Sequence, residues 1–308
     1  MLENIMTITN TSYQHLVSFQ KCLFFNLMNI FRNLIPHHFL TFCVGKLASS
    51  KNKTLKNILI RIFIKLYKPD LSLAKLKRPE DYKTYNDFFI RELEDFVRPL
   101  DVSVNAVCSP VDGSIVDYGL IDSGQLIQAK RFKYELTDLM GDHLLTEELD
   151  GGVFITIYLA PTDYHRIHCP LAGKIIKSNH MGDKLYSVNL DAQTSIPSLY
   201  IKNERANMII QSRGFSYGLV AVGASIVGSI VPFWEKKDLK KRSSFKEAWN
   251  NGPEEDSKMV SKGQELAYFK MGSTVILLFP KVAKLNIDSL YQNKTVKFGE
   301  RLAEMESD

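Results

Sequence analysis

Apolar residues in the N-terminal part of the chain recur at spacings of three and four, which places them on one face of a helix. One such set runs from Leu16 to Leu34, and a second runs from Leu55 to Leu66. Neither contains the roughly 18–20 uninterrupted apolar residues that a membrane span needs. The pattern predicts amphipathic helices that cover the core of the following domain, lie in the headgroup region of a bilayer, or do both.

The pattern changes after Arg98-Pro99 to short β-branched runs separated by Gly, Asn, Asp and Pro. A linker over Lys75–Lys83 and a helix over Tyr85–Leu93, capped by Thr84, are expected before this change. One helix, Leu136–Met140, is expected among the strands. The predicted strands are Gly113–Val116, Val153–Leu159, Met208–Gln211, Leu219–Val222, Ser225–Ile230 and Thr274–Phe279.

These elements predict an α+β fold, in which a helical N-terminal membrane-associating region packs on a largely antiparallel β catalytic body. Charge separates the same two parts. Residues 1–69 hold nine Lys or Arg and one acid, Glu3, for a net charge of +8, whereas the whole chain carries +5, which leaves −3 for residues 70–308. We therefore divide the chain into a basic amphipathic membrane-association region, 1–70, and a second domain, 71–308, and we expect no nucleic-acid partner.

Composition narrows the chemistry further. A chain of 308 residues with 45% hydrophobic residues has ample material for a core, which excludes a disordered or disulfide-stapled protein. The four cysteines are far apart and form no CxxC pair. Walker, GxGxxG and HExxH motifs are missing from the sequence, so we expect neither a nucleotide cofactor nor a metal.

Three short stretches carry residues that could do chemistry. Asp112 stands in the turn sequence Ser109–Gly113, His165 and His168 follow a predicted strand, and Gly272-Ser273 precedes another. Taken singly, these stretches are typical of turns or of surface histidines. Together they place Asp, His and Ser in one of the chain orders known for catalytic triads, and the missing Cβ of Gly272 lets the Ser273 hydroxyl approach its carbonyl.

The motifs of these stretches are similar to those of phosphatidylserine decarboxylases of the bacterial, membrane-associated, pyruvoyl-dependent type. The similarity runs from about residue 55 to residue 303, and Met271 replaces the Leu that usually precedes Gly-Ser-Thr in that family. The matching blocks are Tyr85–Arg91, Ser109–Gly113, Tyr164–His168, Val222–Ala224 with Val227–Ile230, and Gly263–Glu265 with Phe269–Val275.

The resemblance implies a zymogen that cuts itself. Ser273 would attack the Gly272 carbonyl, and the chain would separate into a β chain, 1–272, and an α chain, 273–308, whose first residue becomes a pyruvoyl cofactor. The resemblance assigns the self-cleavage charge relay to Asp112, His168 and Ser273, with His168 as the base and Asp112 fixing its tautomer.

The mature enzyme implied by the resemblance forms a Schiff base between the pyruvoyl group and the substrate amine. It would convert phosphatidylserine to phosphatidylethanolamine and CO2, a step of phospholipid biosynthesis, with His165 recognising the substrate and assisting decarboxylation. Its expected partners are phosphatidylserine, an anionic membrane surface and a second copy in a homodimer. We expect a peripheral protein on the cytoplasmic face of the cell (inner) membrane.

Two other classes remain open from the residues. One is a serine hydrolase that uses Asp112, His168 and Ser273 without self-processing, although a Gly-x-Ser-x-Gly elbow is missing. The other is a non-catalytic membrane-binding protein that retains the fold. The basic helical arm favours a lipid substrate over a free amino acid, because a soluble decarboxylase has little use for it.

Overall fold

The structure is a computed structural model that describes residues 44–128, 132–182, 184–224, 230–234, 259–270 and 272–306. The predicted helical face from Leu16 to Leu34 lies outside these stretches, as do Met271 and all but the last residue of the predicted strand Ser225–Ile230. None of the described helices has the length and apolar character of a membrane span.

Strands dominate the described part of the chain. They are β1 (Ala106–Cys108), β2 (Gly113–Leu120), β3 (Gln125–Gln128), β4 (Phe132–Glu135), β5 (Val153–Leu159), β6 (Arg166–His168), β7 (Gly173–Met181), β8 (Arg205–Ser212), β9 (Phe215–Gly223), β10 (Ile230–Pro232), β11 (Met259–Val260), β12 (Glu265–Phe269), β13 (Ser273–Phe279), β14 (Leu285–Asn286), β15 (Thr295–Val296) and β16 (Arg301–Met305).

Eight of these strands form one antiparallel sheet in the order β11-β7-β8-β9-β13-β5-β2-β15. Two three-stranded sheets, β10-β12-β6 and β1-β16-β14, and the hairpin β3-β4 complete the β structure in the described residues. The helices are α1 (Lys53–Tyr67), α2 (Tyr85–Phe89), α3 (Leu136–Met140), α4 (His143–Leu149), α5 (Leu190–Ser195) and α6 (Leu199–Lys202). The predicted α+β fold with a largely antiparallel body is confirmed.

Strand β13 is buried along its whole length because both faces of the large sheet are covered. Side chains of Val275 and Leu277 join a core cluster that also contains Ile167 of β6. Ile276 and Leu278 point to the other face and join a second cluster beneath α3 and α4. A strand covered on both faces reads as a continuous apolar run, which is the pattern that β13 shows in the sequence.

Helix α1 packs inward against helix α2. Ile60 and Phe63 are buried in a third cluster with the α2 residues Phe88 and Phe89. Lys56 is also buried, and its Nζ donates to the backbone carbonyl of Pro79 at 2.8 Å. The third cluster fixes α1 to the segment that leads into the β body.

The predicted apolar face of α1 is therefore divided between two sides. Phe63 lies inside, whereas Ile58, Ile62 and Leu66 are 49%, 50% and 61% exposed. The prediction of a single stripe from Leu55 to Leu66 was wrong in this respect, because the helix carries apolar residues on two faces. One face covers the core, and the other remains available for an external apolar surface.

Two local predictions need correction. Helix α2 ends at Phe89 instead of Leu93. The chain beyond it pairs with the segment that was predicted as a linker, because the amide of Lys75 donates to the carbonyl of Glu92 at 2.9 Å. The Thr84 cap is present, since its hydroxyl accepts from the Asp87 amide at 3.1 Å. Helix α3 spans the predicted residues, but α4, α5 and α6 were missed.

Candidate active site

Ser273 is the first residue of β13, opposite Leu159 of β5 and Gly223 of β9. Its side chain is fully buried, and its Oγ has no hydrogen-bond partner among the described residues. Gly272 has a φ of +37°, in the left-handed region, and a Cβ added there would lie 3.3 Å from the Cβ of Ala224. The position before Ser273 therefore favours glycine, and the serine hydroxyl is kept from competing partners.

His168, on β6, has both ring nitrogens engaged. Its Nδ1 lies 2.8 Å from the carbonyl oxygen of Gly263, and its Nε2 lies 2.9 Å from the Tyr164 hydroxyl. Because a carbonyl only accepts, Nδ1 carries the hydrogen and Nε2 accepts from the tyrosine. The ring of Phe298 stacks on the imidazole with centroids 3.7 Å apart. Burial lowers the pKa of His168 to about 4, so the ring is neutral at neutral pH.

His165 differs from His168 in having one ring nitrogen without a described partner. Its Nδ1 donates to the Asp163 carbonyl at 2.9 Å, while its buried Nε2 has no hydrogen-bond partner among the described residues. The Phe89 ring packs on the imidazole at 4.2 Å between centroids. Burial lowers the pKa of His165 to about 3. The side chain is therefore a neutral imidazole whose Nε2 lone pair is available to a ligand.

Strand alternation relates His168 to the core that Ser273 faces. Ser273 has the same parity on β13 as Val275, whose side chain lies in the core cluster that contains Ile167 of β6. His168 has the opposite parity to Ile167 on β6, and its ring stacks on Phe298. His165 directly precedes β6 and packs against Phe89 of α2.

Asp112 lies in the loop before β2, where an arginine and a backbone amide hold its carboxylate. Arg98 donates from Nη2 at 2.6 Å and from Nε at 3.2 Å, and the Phe298 amide donates at 2.8 Å. In return, the Asp112 hydrogen bond raises the pKa of Arg98. The following Gly113 is required sterically, since a Cβ there would lie 2.5 Å from the carbonyl oxygen of Tyr158.

The structure thus brings Asp112 and His168 together only indirectly. Phe298 donates its amide to Asp112 and stacks its ring on His168, and the His168 amide donates to the Pro110 carbonyl at 2.8 Å. Within the described residues Asp112 makes no hydrogen bond to His168, and Ser273 makes none to either histidine. The assignment of a charge relay to these residues stays a prediction.

Sequence reasoning named the reactive residues but missed the groups that hold them. Tyr164 and Gly263 stand inside motif blocks, which was a signal that they matter, yet their contacts with His168 were not foreseen. Arg98 was noted only as the point after which the pattern changes to short β-branched runs, and nothing in the sequence pattern marks Phe298. Both reach Asp112 from distant positions that only the fold brings together.

A charged cleft of about 290 Å³ opens beside His168, lined in part by Tyr164 and Phe298. Arg166 crosses it, bonded to Glu265 at 2.7 Å and to Glu92 at 3.2 Å. The Nε of Arg166 also donates to the Ile90 carbonyl at 3.0 Å. Two residues that line the cleft, Tyr164 and Phe298, also contact the His168 ring.

A fully buried serine follows a left-handed glycine at the start of a central strand, and the same antiparallel α+β protein holds two neutral, buried histidines, a combination typical of an enzyme. Comparison with known proteins gives this class a name. The family model described as phosphatidylserine decarboxylase matches residues 85–304, and a second, described as PSD, matches residues 30–68. The chain belongs to the phosphatidylserine decarboxylase family, whose enzymes are carboxy-lyases, and the sequence-based prediction of this family is confirmed.

Curated relatives cover most of the chain. A protein of Vibrio parahaemolyticus is 40% identical over 251 residues, which is 81% of this chain and 88% of the relative. One of Legionella pneumophila is 39% identical over 272 residues, covering 88% and 95% of the two chains. One of Saccharophagus degradans is 35% identical over 277 residues, covering 90% and 96%. Each is named phosphatidylserine decarboxylase proenzyme, which supports the decarboxylase prediction and not the serine-hydrolase alternative.

Proposed function

We propose that this protein converts phosphatidylserine to phosphatidylethanolamine and CO2 by means of a pyruvoyl group made from its own Ser273. The observation that carries the proposal is the Gly272-Ser273 pair, in which a left-handed glycine precedes a fully buried serine whose hydroxyl has no partner among the described residues. Family membership supports the reaction, and the word proenzyme in the relatives' names supports self-processing.

Maturation needs only water from outside the chain. The Ser273 hydroxyl loses its proton and attacks the Gly272 carbonyl, and the peptide bond between them is replaced by an ester. Removal of the Ser273 α-proton then expels the Gly272 carboxylate, and hydrolysis of the resulting dehydroalanine releases ammonia and leaves a pyruvoyl terminus. A buried serine with an unengaged hydroxyl fits this role, because no hydrogen bond to another described residue must first be broken.

His168 is our proposed base for Ser273, supported by its neutral state and by a tautomer that leaves Nε2 as the acceptor. In the precursor this nitrogen accepts from Tyr164, so Tyr164 must turn aside or pass the proton along before His168 can act. Asp112 supports the base through Phe298 instead of by direct contact. A positioned base of this kind typically contributes about 10²–10⁴-fold to a rate.

The pyruvoyl group supplies a ketone that takes up the substrate amine and accepts the electrons released when CO2 leaves. The protein must then exclude water and return a proton to the former α-carbon. We assign substrate recognition and assistance in decarboxylation to His165, which is neutral and fully buried. Its Nε2, without a described partner, can exchange a hydrogen bond or a proton with the substrate.

A lipid substrate requires contact with a bilayer, and helix α1 offers one. Its outward face exposes Ile58, Ile62 and Leu66. Lys65 lies among them, and Lys53 and Arg61 stand on the same helix. Apolar residues with a basic rim suit the headgroup region of an anionic membrane, at roughly 1 kcal/mol for each well-placed Lys or Arg. We propose peripheral membrane attachment through the 1–70 region.

The proposal includes two chains from one precursor, 1–272 and 273–308, which remain together because β13 lies between β5 and β9. A homodimer stays a prediction from the family resemblance. The direct test is decarboxylation of phosphatidylserine vesicles by purified protein, followed as CO2 release and phosphatidylethanolamine formation. A Ser273→Ala variant must be inactive and uncleaved. Release of fatty acid or headgroup by a single uncleaved chain would instead indicate a hydrolase.

A further inference from the structure

Arg91 follows helix α2 and is only 4% exposed, yet most of its guanidinium is unsatisfied. Its Nη2 donates to the Thr162 carbonyl at 2.7 Å and approaches the Asp163 carbonyl at 3.4 Å. Its Nε and Nη1 are buried without a hydrogen-bond partner among the described residues. A buried charge with free donors is costly to a fold, so such a group is expected to serve a ligand.

The acids around Arg91 are engaged elsewhere. The Asp163 carboxylate accepts from the Ala160 amide at 2.8 Å, and Asp112 is held by Arg98. The third nearby acid, Asp70, accepts from the Ser72 amide at 2.9 Å. Arg91 forms no ion pair with any of them in the described part of the chain, so its positive charge is available to an incoming anion.

The guanidinium lies beside the proposed substrate-recognition residue. Arg91 Nη2 and His165 Nδ1 both approach one atom, the carbonyl oxygen of Asp163. Phe89 packs on the His165 ring and meets Phe63 of α1 at 6.0 Å between centroids, on the inner side of the helix whose outer face is apolar. The inner side of α1, whose outer face is the proposed membrane surface, is therefore connected to His165 through the Phe63–Phe89 contact.

We propose that Arg91 binds the phosphodiester of the lipid headgroup; this rests on the proposed function. The amine must reach the group made from Ser273, and the carboxylate must leave as CO2. A cation bound to that carboxylate would stabilise the substrate more than the transition state, because the negative charge leaves the carboxylate as CO2 forms. The phosphodiester is the remaining anion, and the planar guanidinium matches two of its oxygens.

The test uses the mature two-chain protein and calorimetric binding of two soluble probes that share an amine, glycerophosphoethanolamine and ethanolamine. Arg91→Met is expected to reduce the preference for the phosphodiester probe by about 10- to 100-fold, the loss of a charged hydrogen bond. Arg91→Lys, which keeps the positive charge but not the planar guanidinium, is expected to lose part of the preference. Arg78→Met, an exposed arginine paired with Asp81, should leave it unchanged.

An unchanged preference in Arg91→Met would overturn the proposal. If that variant does not fold or cleave, Arg91→Lys decides: a reduced preference supports the proposal, and the full wild-type preference overturns it. Serine is the third probe, and weakened serine binding with intact phosphodiester preference would assign Arg91 to the carboxylate instead. Wild-type protein that neither cleaves nor decarboxylates phosphatidylserine would refute the proposed function itself, whatever the probes show.

Discussion

Strand β13 and helix α1 are both rich in apolar residues, but the fold uses them in opposite ways. Every residue of β13 is buried, and its first residue, Ser273, is held in register by a strand on either side. Helix α1 buries Ile60 and Phe63 and leaves Ile58 and Ile62 half exposed. Under the proposed function, the interior of the sheet positions the reactive peptide, whereas the outer surface of α1 delivers the substrate.

The strongest test of the β13 side is Ser273→Ala, which removes the only atom proposed to attack the Gly272 carbonyl. We expect no chain cleavage and no decarboxylation, because neither the ester nor the pyruvoyl group can form. Denaturing electrophoresis and CO2 release measure the two effects. Thr156→Val removes another buried hydroxyl without a described partner, on β5, and should cleave normally.

Variants of the two histidines are expected to affect different steps, self-cleavage in one case and decarboxylation in the other. His168→Ala is expected to leave intact precursor, because it removes the proposed base, while His165→Ala is expected to cleave but to lose activity. Electrophoresis and a decarboxylation assay on both variants distinguish the roles. The reversed pattern would assign the base to His165, whose Nε2 has no hydrogen-bond partner among the described residues.

The α1 side is tested by placing charge on its outward face. The double substitution Ile58→Glu with Ile62→Glu is expected to weaken binding to phosphatidylserine-containing vesicles by about 100-fold or more, since each buried Ile contributes about 1.5–3 kcal/mol. Vesicle sedimentation measures the binding, and self-cleavage should be unaffected. Leu190→Glu, an equally exposed apolar position on α5, is the matched control, and an equal loss there would contradict the assignment.

The last prediction concerns the pH dependence of stability. Burial lowers the pKa of His165 to about 3 and of His168 to about 4, below the ordinary 6.5. Between 6.5 and these values the unfolded chain binds protons that the folded chain does not, so the free energy of unfolding should fall as pH falls. The slope approaches about 1.4 kcal/mol per pH unit for each histidine.

Denaturant unfolding of the uncleaved Ser273→Ala protein from pH 7 to pH 4.5 measures this slope. Adding His165→Gln should reduce it, because one of the two buried imidazoles no longer titrates. A free energy of unfolding that stays constant over this range would show that the histidines are not held neutral by burial.

The parts of the fold with strong local signals were predictable. Strand β5 was predicted with its observed bounds, because a run of β-branched, aromatic and aliphatic residues begins directly after Gly151-Gly152. Helix α3 was also predicted with its observed bounds, because a glycine, Gly141, ends it. Helix α2 was predicted too long, because the amide of Lys75, a tertiary partner, takes the carbonyl of Glu92. Local propensity cannot report a partner that is distant in the sequence.

In the candidate site, too, the residues were predictable from the sequence but their contacts were not. Ser273, Asp112 and the two histidines stand in recognisable motifs, and the resemblance named them all. The contacts that hold them could not be inferred, because Phe298 reaches Asp112 from the other end of the chain. The unsatisfied donors of Arg91 are likewise visible only once the side chain is known to be buried.

The central claim is that the bond between Gly272 and Ser273 is cut by the Ser273 hydroxyl, which leaves a carbonyl in place of an amine. Intact mass spectrometry of the freshly purified protein tests it most directly. The account predicts two chains, 1–272 and 273–308, with the smaller chain beginning in a pyruvoyl group and therefore resistant to N-terminal sequencing. A single uncleaved chain that still releases CO2 from phosphatidylserine would contradict it.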